Sequence, residues 1–144
     1  MIIPPVQDFL STARILVIDD HEDSRNVARL VLEHVGYRVS LASTGTEGLH
    51  RALEELPDLV LADLILPELD GLAVAERLRL HPATCDIRII AVTADARPAA
   101  RQDAFRAGCN DFLVKPFHIA TLRSLVLEQL LLARMYTRSR FVSL

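Results

Sequence analysis

Short apolar runs alternate along this chain with longer stretches in which apolar residues recur at helical spacing. Five segments have the length and character of strands: the runs Ile15–Ile18, Leu59–Ala62, Ile89–Val92 and Phe112–Val114, and the stretch Arg38–Ala42 (RVSLA). Four of them are continuously apolar rather than alternating, as strands buried on both faces of a parallel sheet must be. Between them lie amphipathic helices. Val27, Leu30, Val31 and Val35 form one stripe, closed by Gly36, and Leu49, Ala52, Leu53 and Leu56 form a second, closed by Pro57. A third stripe, Leu72, Ala75 and Leu78, follows Asp70-Gly71; a fourth helix is predicted from Pro98 to Gly108, and a fifth from Ile119 to at least Ala133. Thr44-Gly45-Thr46-Glu47 matches the capping box, so this stretch reads as a helix start; the full P-loop signature is absent.

Five strand–helix units in succession predict an α/β fold, a doubly wound, five-stranded parallel sheet of order 2-1-3-4-5, flavodoxin-like, with right-handed crossovers. Four strands run directly into a reactive polar residue: Asp19-Asp20, Asp63, Thr93 and Lys115-Pro116. In a parallel sheet these carboxyl ends share one edge, and the switch point falls between the first and third strands, where Asp19, Asp20 and Asp63 would meet. Three carboxylates, a hydroxyl and an ammonium in one crevice suit phosphoryl transfer to an aspartate.

Composition narrows the picture without changing it. A chain of 144 residues, 51% hydrophobic, can bury one core but not two. The net charge of −3 offers no global attraction to nucleic acid or an anionic membrane, so neither is an expected partner. No apolar stretch approaches the roughly 20 residues that span a bilayer, and the start MIIPPVQDFLSTA has no basic leader character, which together predict a cytoplasmic protein. Residues 1–13 read as an N-terminal extension, 14–133 as the domain, and 134–144, with Arg134, Arg138 and Arg140, as a basic tail or linker stub. Cys85 and Cys109 read as free thiols. The five histidines, His21, His34, His50, His81 and His118, share no metal-ligand spacing and are expected at exposed or helix-end positions.

The motifs ILVIDD, LVLADLILPELDG, AVTA and FLVKPF, in this order and spacing, resemble the receiver domain of bacterial response regulators over about residues 14 to 133. The resemblance implies that Asp63 accepts a phosphoryl group from a sensor histidine kinase, a phosphotransfer protein or a small acyl phosphate. It also implies that Thr93 and Lys115 contact that group and that the bond before Pro116 is cis. A carboxylate attacks phosphorus only if the donor's negative charge is neutralised. Mg²⁺ would do this, held by hard oxygens of Asp19, Asp20, Asp63 and the backbone carbonyl near Ile65. Such a domain modifies itself and slowly hydrolyses the product; it is a switch and not an enzyme with a turnover substrate. Its output face would be the fourth helix, fifth strand and fifth helix. Two departures stand out. Phe112 occupies a position that is commonly tyrosine, so coupling to Thr93 would be steric, and Ile65 and Asp95 fill positions that tune phosphoryl lifetime in the family.

Two other classes compete. One is a receiver-like interaction module that works without phosphorylation. The other is a phosphatase of the haloacid-dehalogenase type, which places a D-x-D nucleophile after its first strand and usually carries a cap; here Asp19 and Asp20 are adjacent and there is no room for a cap. The fifth helix is more apolar than one stripe requires. Leu122, Leu125, Val126 and Gln129 form one face, and Leu127, Leu130, Leu131 and Arg134 a second, which predicts either a homodimer contact or cover by Ile2, Ile3, Val6, Phe9 and Leu10.

Overall fold

The computed structural model describes residues 10–142, with side chains described through residue 135. After a helical turn over residues 10–12, the elements alternate: β1 (Arg14–Ile18), α1 (Glu22–Val35), β2 (Arg38–Ala42), α2 (Gly45–Glu55), β3 (Leu59–Asp63), α3 (Gly71–Leu80), β4 (Arg88–Thr93), α4 (Pro98–Ala107), β5 (Asp111–Val114) and α5 (Ile119–Val142). All strand pairs are parallel and the order is β2-β1-β3-β4-β5, the doubly wound arrangement expected from the strand–helix repeat. Among the described residues, no helix is long and apolar enough to cross a membrane.

Because strand side chains alternate between faces, the apolar runs feed two cores. Leu16, Ile18, Val60, Ala62, Ile89, Ala91 and Phe112 pack with α2, α3 and α4. Ile15, Val17, Leu59, Leu61, Ile90, Val92 and Leu113 pack with α1 and α5. Register then aligns the polar strand ends: Ile18 lies beside Ala62, Asp63 beside Val92, and Thr93 beside Val114.

The predicted α3 stripe holds, with Ala75 and Leu78 buried and Leu72 packed against the core, but the phases of α1, α2 and part of α5 differ from the predicted stripes. On α1 the buried seam is Ala28, Val31 and Leu32, and Val27 and Leu30 are exposed by 53% and 58%, with Val35 also outside. Small Ala28 lets the helix approach the sheet, which turns the larger residues outward. On α2 the same happens through Gly45, Gly48 and Ala52, leaving Leu53 and Leu56 exposed. A Cβ at Gly48 would collide with the Ile18 side chain, so α2 lies as close to β1 as a backbone can. On α5, Leu130 is fully buried with Leu122 and Val126 and belongs to the core-facing stripe rather than the second one. Positions four apart drift only slightly around a helix, so 122, 126 and 130 stay on one side. Among the described residues, the large exposed apolar side chains on α5 are Ile119, Leu127, Leu132 and Met135. Leu10 packs against the α1–α5 core, whereas Ile2, Ile3, Val6 and Phe9 lie outside the described residues.

The edge opposite the polar strand ends is tied by two arginines. Arg79 donates to the carbonyls of Cys85, Ile87 and Gly108 at 3.1, 2.6 and 3.0 Å and to Asn110 Oδ1 at 2.9 Å. Arg88 donates to Gln129 Oε1, and Gln129 in turn donates to Asp111 Oδ2 at 3.3 Å, which fixes α5 to the starts of β4 and β5. Both cysteines are free; burial pushes the Cys109 thiol up to about 11.

Candidate functional site

Asp19 follows β1 and Asp63 closes β3, and both are nearly buried, at 6% and 7% exposure. Each carboxylate is aimed by a backbone amide two residues on. His21 N donates to Asp19 Oδ1 at 2.9 Å and Ile65 N donates to Asp63 Oδ1 at 3.0 Å. The remaining oxygens, Asp19 Oδ2 and Asp63 Oδ2, both accept from Lys115 Nζ at 3.0 Å. Burial alone would lower the Lys115 pKa, but the hydrogen bonds to Asp63 and Asp19 outweigh it and hold the ammonium above its ordinary value. The Lys115–Pro116 peptide is cis, and Lys115 N donates to Thr93 O at 2.8 Å, so the β5–α5 turn is anchored to β4.

Asp20 is more open. Ligand atoms of Asp19, Asp20, His21 and Asp63 all lie within 4.8 Å of one another. Three carboxylates against one ammonium leave an excess of negative charge, and the donor set is mainly hard oxygen, which fits a divalent cation. His21 was not expected here. Its Nδ1 lies 3.1 Å from Asp20 Oδ1 and 3.4 Å from Asp19 Oδ1. The signal was adjacency to Asp19-Asp20, which a search for ligand spacing passes over.

Thr93 ends β4 and is buried; its Oγ1 accepts from Asp95 N at 3.1 Å, and its own proton remains available. Among the described hydrogen bonds none joins it to Asp63. Asp95 is gripped by Arg97 in a bidentate pair, Nε to Oδ1 at 2.9 Å and Nη2 to Oδ2 at 2.7 Å, which holds its carboxyl at about 2. Ile65 is exposed and lines, with Thr93, Asp95 and Arg97, a depression of about 200 Å³. Phe112 is buried in the α2–α4 core, with the Arg101 guanidinium 5.9 Å from its ring centre.

Two glycines shape the crevice from below. Gly71 N donates to Leu64 O at 3.0 Å, and a Cβ there would collide with the Asp63 carbonyl oxygen. Gly45 N donates to Pro67 O at 3.3 Å, and a Cβ there would collide with Leu69 O. In the sequence both read only as helix starts, because their tertiary neighbours are not local. Beside Asp63 opens a cleft of about 520 Å³, lined by Asp19, Val27, Lys115, Phe117 and Ile119 among others.

Comparison with known proteins identifies the family. The profile of the response regulator receiver domain matches residues 15–127. An uncharacterised 14.6 kDa protein of Leptolyngbya boryana is 41% identical over 107 residues, 74% of this chain and 82% of that protein. The DNA-binding dual master transcriptional regulator RpaA of Synechocystis is 38% identical over 106 residues, 74% of this chain but 44% of RpaA, so the chain spans less than half the length of that relative. The expectation of no nucleic-acid contact rests on this chain's charge and does not extend to the rest of such a regulator. The crystal structure of the receiver domain of sensor histidine kinase PA1611 from Pseudomonas aeruginosa, with magnesium in its active-site cleft, superposes with a TM-score of 0.77 at 32% identity, covering 83% of this chain and 98% of that one. With the strand order, the paired carboxylates and the bridging lysine already in place, the match over residues 15–127 means that this chain belongs to the response regulator receiver domain family.

Proposed function

We propose that the chain is a phosphorylation switch in which Asp63 takes a phosphoryl group from a histidine kinase or a phosphotransfer protein. The observation that carries this reading is the Lys115 ammonium held between Asp19 and Asp63 at 3.0 Å from each. Asp19, Asp20, Asp63 and the Ile65 carbonyl would hold a divalent cation, Mg²⁺, which when bound would neutralise charge on the phosphoryl oxygens. Asp63 is the nucleophile because it alone closes the central strand β3, while Asp19 and Asp20 follow β1 on the metal side, and the amide of Ile65 orients its carboxylate. As the new oxygen–phosphorus bond forms, the donor's nitrogen–phosphorus bond breaks and imidazole leaves. Lys115 then transfers one of its hydrogen bonds from Asp63 to a phosphoryl oxygen, and Thr93 turns its hydroxyl proton toward another.

The donor has a seat. Val27 on α1 and Ile119 on α5 are exposed at the rim of the cleft beside Asp63, an apolar margin suited to a helix that carries a phosphohistidine. Output follows from Thr93. Its inward turn releases the Asp95 amide and alters the packing of Phe112, which lies on the neighbouring strand β5 opposite Ala91, and this reshapes the α4–β5–α5 face. The ring of Phe112 lacks a hydroxyl, so it moves by steric exchange between the buried site and the surface. Exposed Leu127, Leu132 and Met135 on α5 make that face a candidate contact for a second copy. A receiver-like module that ignores phosphorylation is not favoured.

The direct test is incubation with acetyl phosphate and Mg²⁺ followed by intact mass measurement. One added phosphoryl group is expected on the native chain and none on Asp63→Asn. Modification of the variant at another Mg²⁺-dependent aspartyl site would show that the roles are wrongly assigned.

A further inference from the structure

His21 stands at the N-cap of α1 with extended backbone, φ −90° and ψ 115°, and its side chain makes no capping hydrogen bond. Its main-chain amide is committed to Asp19 Oδ1. The ring therefore has no structural duty at the helix end, and it is 72% exposed. Yet Nδ1 faces two carboxylate oxygens, Asp20 Oδ1 at 3.1 Å and Asp19 Oδ1 at 3.4 Å, and completes a group of four donors within 4.8 Å. An imidazole nitrogen at that place has two uses. It donates to the carboxylates when no cation is present, or it offers its lone pair to a cation that the same carboxylates hold.

We propose that His21 is a ligand of the divalent cation in the crevice, and that it turns this site toward first-row transition ions, Co²⁺ most and Mn²⁺ to a smaller degree, over Mg²⁺. This rests on the cation-binding reading of the site given above and goes beyond it in naming a nitrogen ligand. Mg²⁺ takes oxygen ligands and retains water, so an imidazole adds little to its affinity. Affinity of a mixed nitrogen and oxygen set rises along the first transition row from Mn²⁺ through Co²⁺, so Mn²⁺, although served mainly by oxygen, stands at the low end of a series that imidazole favours, whereas Mg²⁺ stands outside it. Asp19, Asp20 and Asp63 thus supply the charge that any divalent cation needs, and His21 supplies the discrimination.

The experiment uses the full chain and Mn²⁺ as the probe. Pulsed electron paramagnetic resonance of the Mn²⁺ complex is expected to show modulation from a directly bound ¹⁴N nucleus. That modulation disappears in His21→Ala and in His21→Asn, the second of which retains a good N-cap residue should the first disturb α1. Calorimetric titration is expected to show Mn²⁺ affinity falling by about tenfold or more in both variants, the scale of losses seen when even outer partners of a metal ligand are removed. Mg²⁺ affinity should change by less than about twofold, since that ion gains little from nitrogen. Mn²⁺ binding without nitrogen modulation, or with equal affinity in native chain and variants, would overturn the role of His21 alone. Failure of the native chain to bind either cation would overturn the cation reading and this inference together.

Discussion

Lys115 sets the charge balance of the crevice, and its effects can be separated from those of the carboxylates it touches. Its raised pKa means that the stabilising charge is fully present below the ordinary lysine value of 10.5 and is lost only as pH rises through the raised value. At neutral pH the ammonium is therefore always in place. Lys115→Met leaves Asp19 and Asp63 facing each other without a counterion, so the variant should melt at a lower temperature at pH 7. Mg²⁺ should raise its melting temperature more than it raises that of the native chain, because the cation no longer competes with an ammonium. Thermal denaturation with and without Mg²⁺ checks this; equal shifts in the two proteins would show that lysine and cation do not share the carboxylates. The variant should also lose most phosphorylation by acetyl phosphate.

At the scale of elements, the strands were legible and the helix phases only in part: the stripes of α3 and the first face of α5 hold, those of α1 and α2 do not. Continuous apolar runs identify strands buried on both faces, and the polar residue that ends each run is held by register, so Asp19, Asp63, Thr93 and Lys115 fall where the pattern puts them. A helix's inward face depends on which residues allow the closest approach. Ala28 on α1 and Gly45 and Gly48 on α2 decide it, and a count of large apolar residues points to the wrong side. Gly71 and His21 were hidden for a related reason: what matters about each is a neighbour fixed by the tertiary fold. The corrected phase of α5 can be tested. Leu130→Ala should destabilise the protein by about 2–5 kcal/mol, as loss of a fully buried leucine does, whereas Leu127→Ser should stay within about 0.5 kcal/mol. Comparable losses in chemical denaturation would restore the predicted stripe.

For the whole molecule, α5 is the face proposed to contact a second copy. Its core-facing side is fixed by Leu122, Val126, Gln129 and Leu130, and its far side presents Leu127, Leu132 and Met135. Self-association through that side is expected to strengthen when Asp63 carries a phosphoryl mimic, and Leu127→Ser should weaken it without unfolding the chain. Light scattering at high concentration, with and without beryllofluoride, reads both. A monomer under both conditions removes the dimer and leaves the face to another partner.

The hydrogen bond from Lys115 to Asp19 joins residues 96 positions apart, and that from Lys115 to Asp63 joins residues 52 apart. Chemical competence is consequently a property of the completed chain topology. A ribosome that has released β1 to β4 has made the acceptor carboxylate but not the ammonium that steadies it, since that charge arrives only with the last strand. Contacts of such long range form late and at the highest entropic cost. On the proposed reading the site is thus silent until β5 has emerged, and becomes able to take a phosphoryl group only when the sheet has closed.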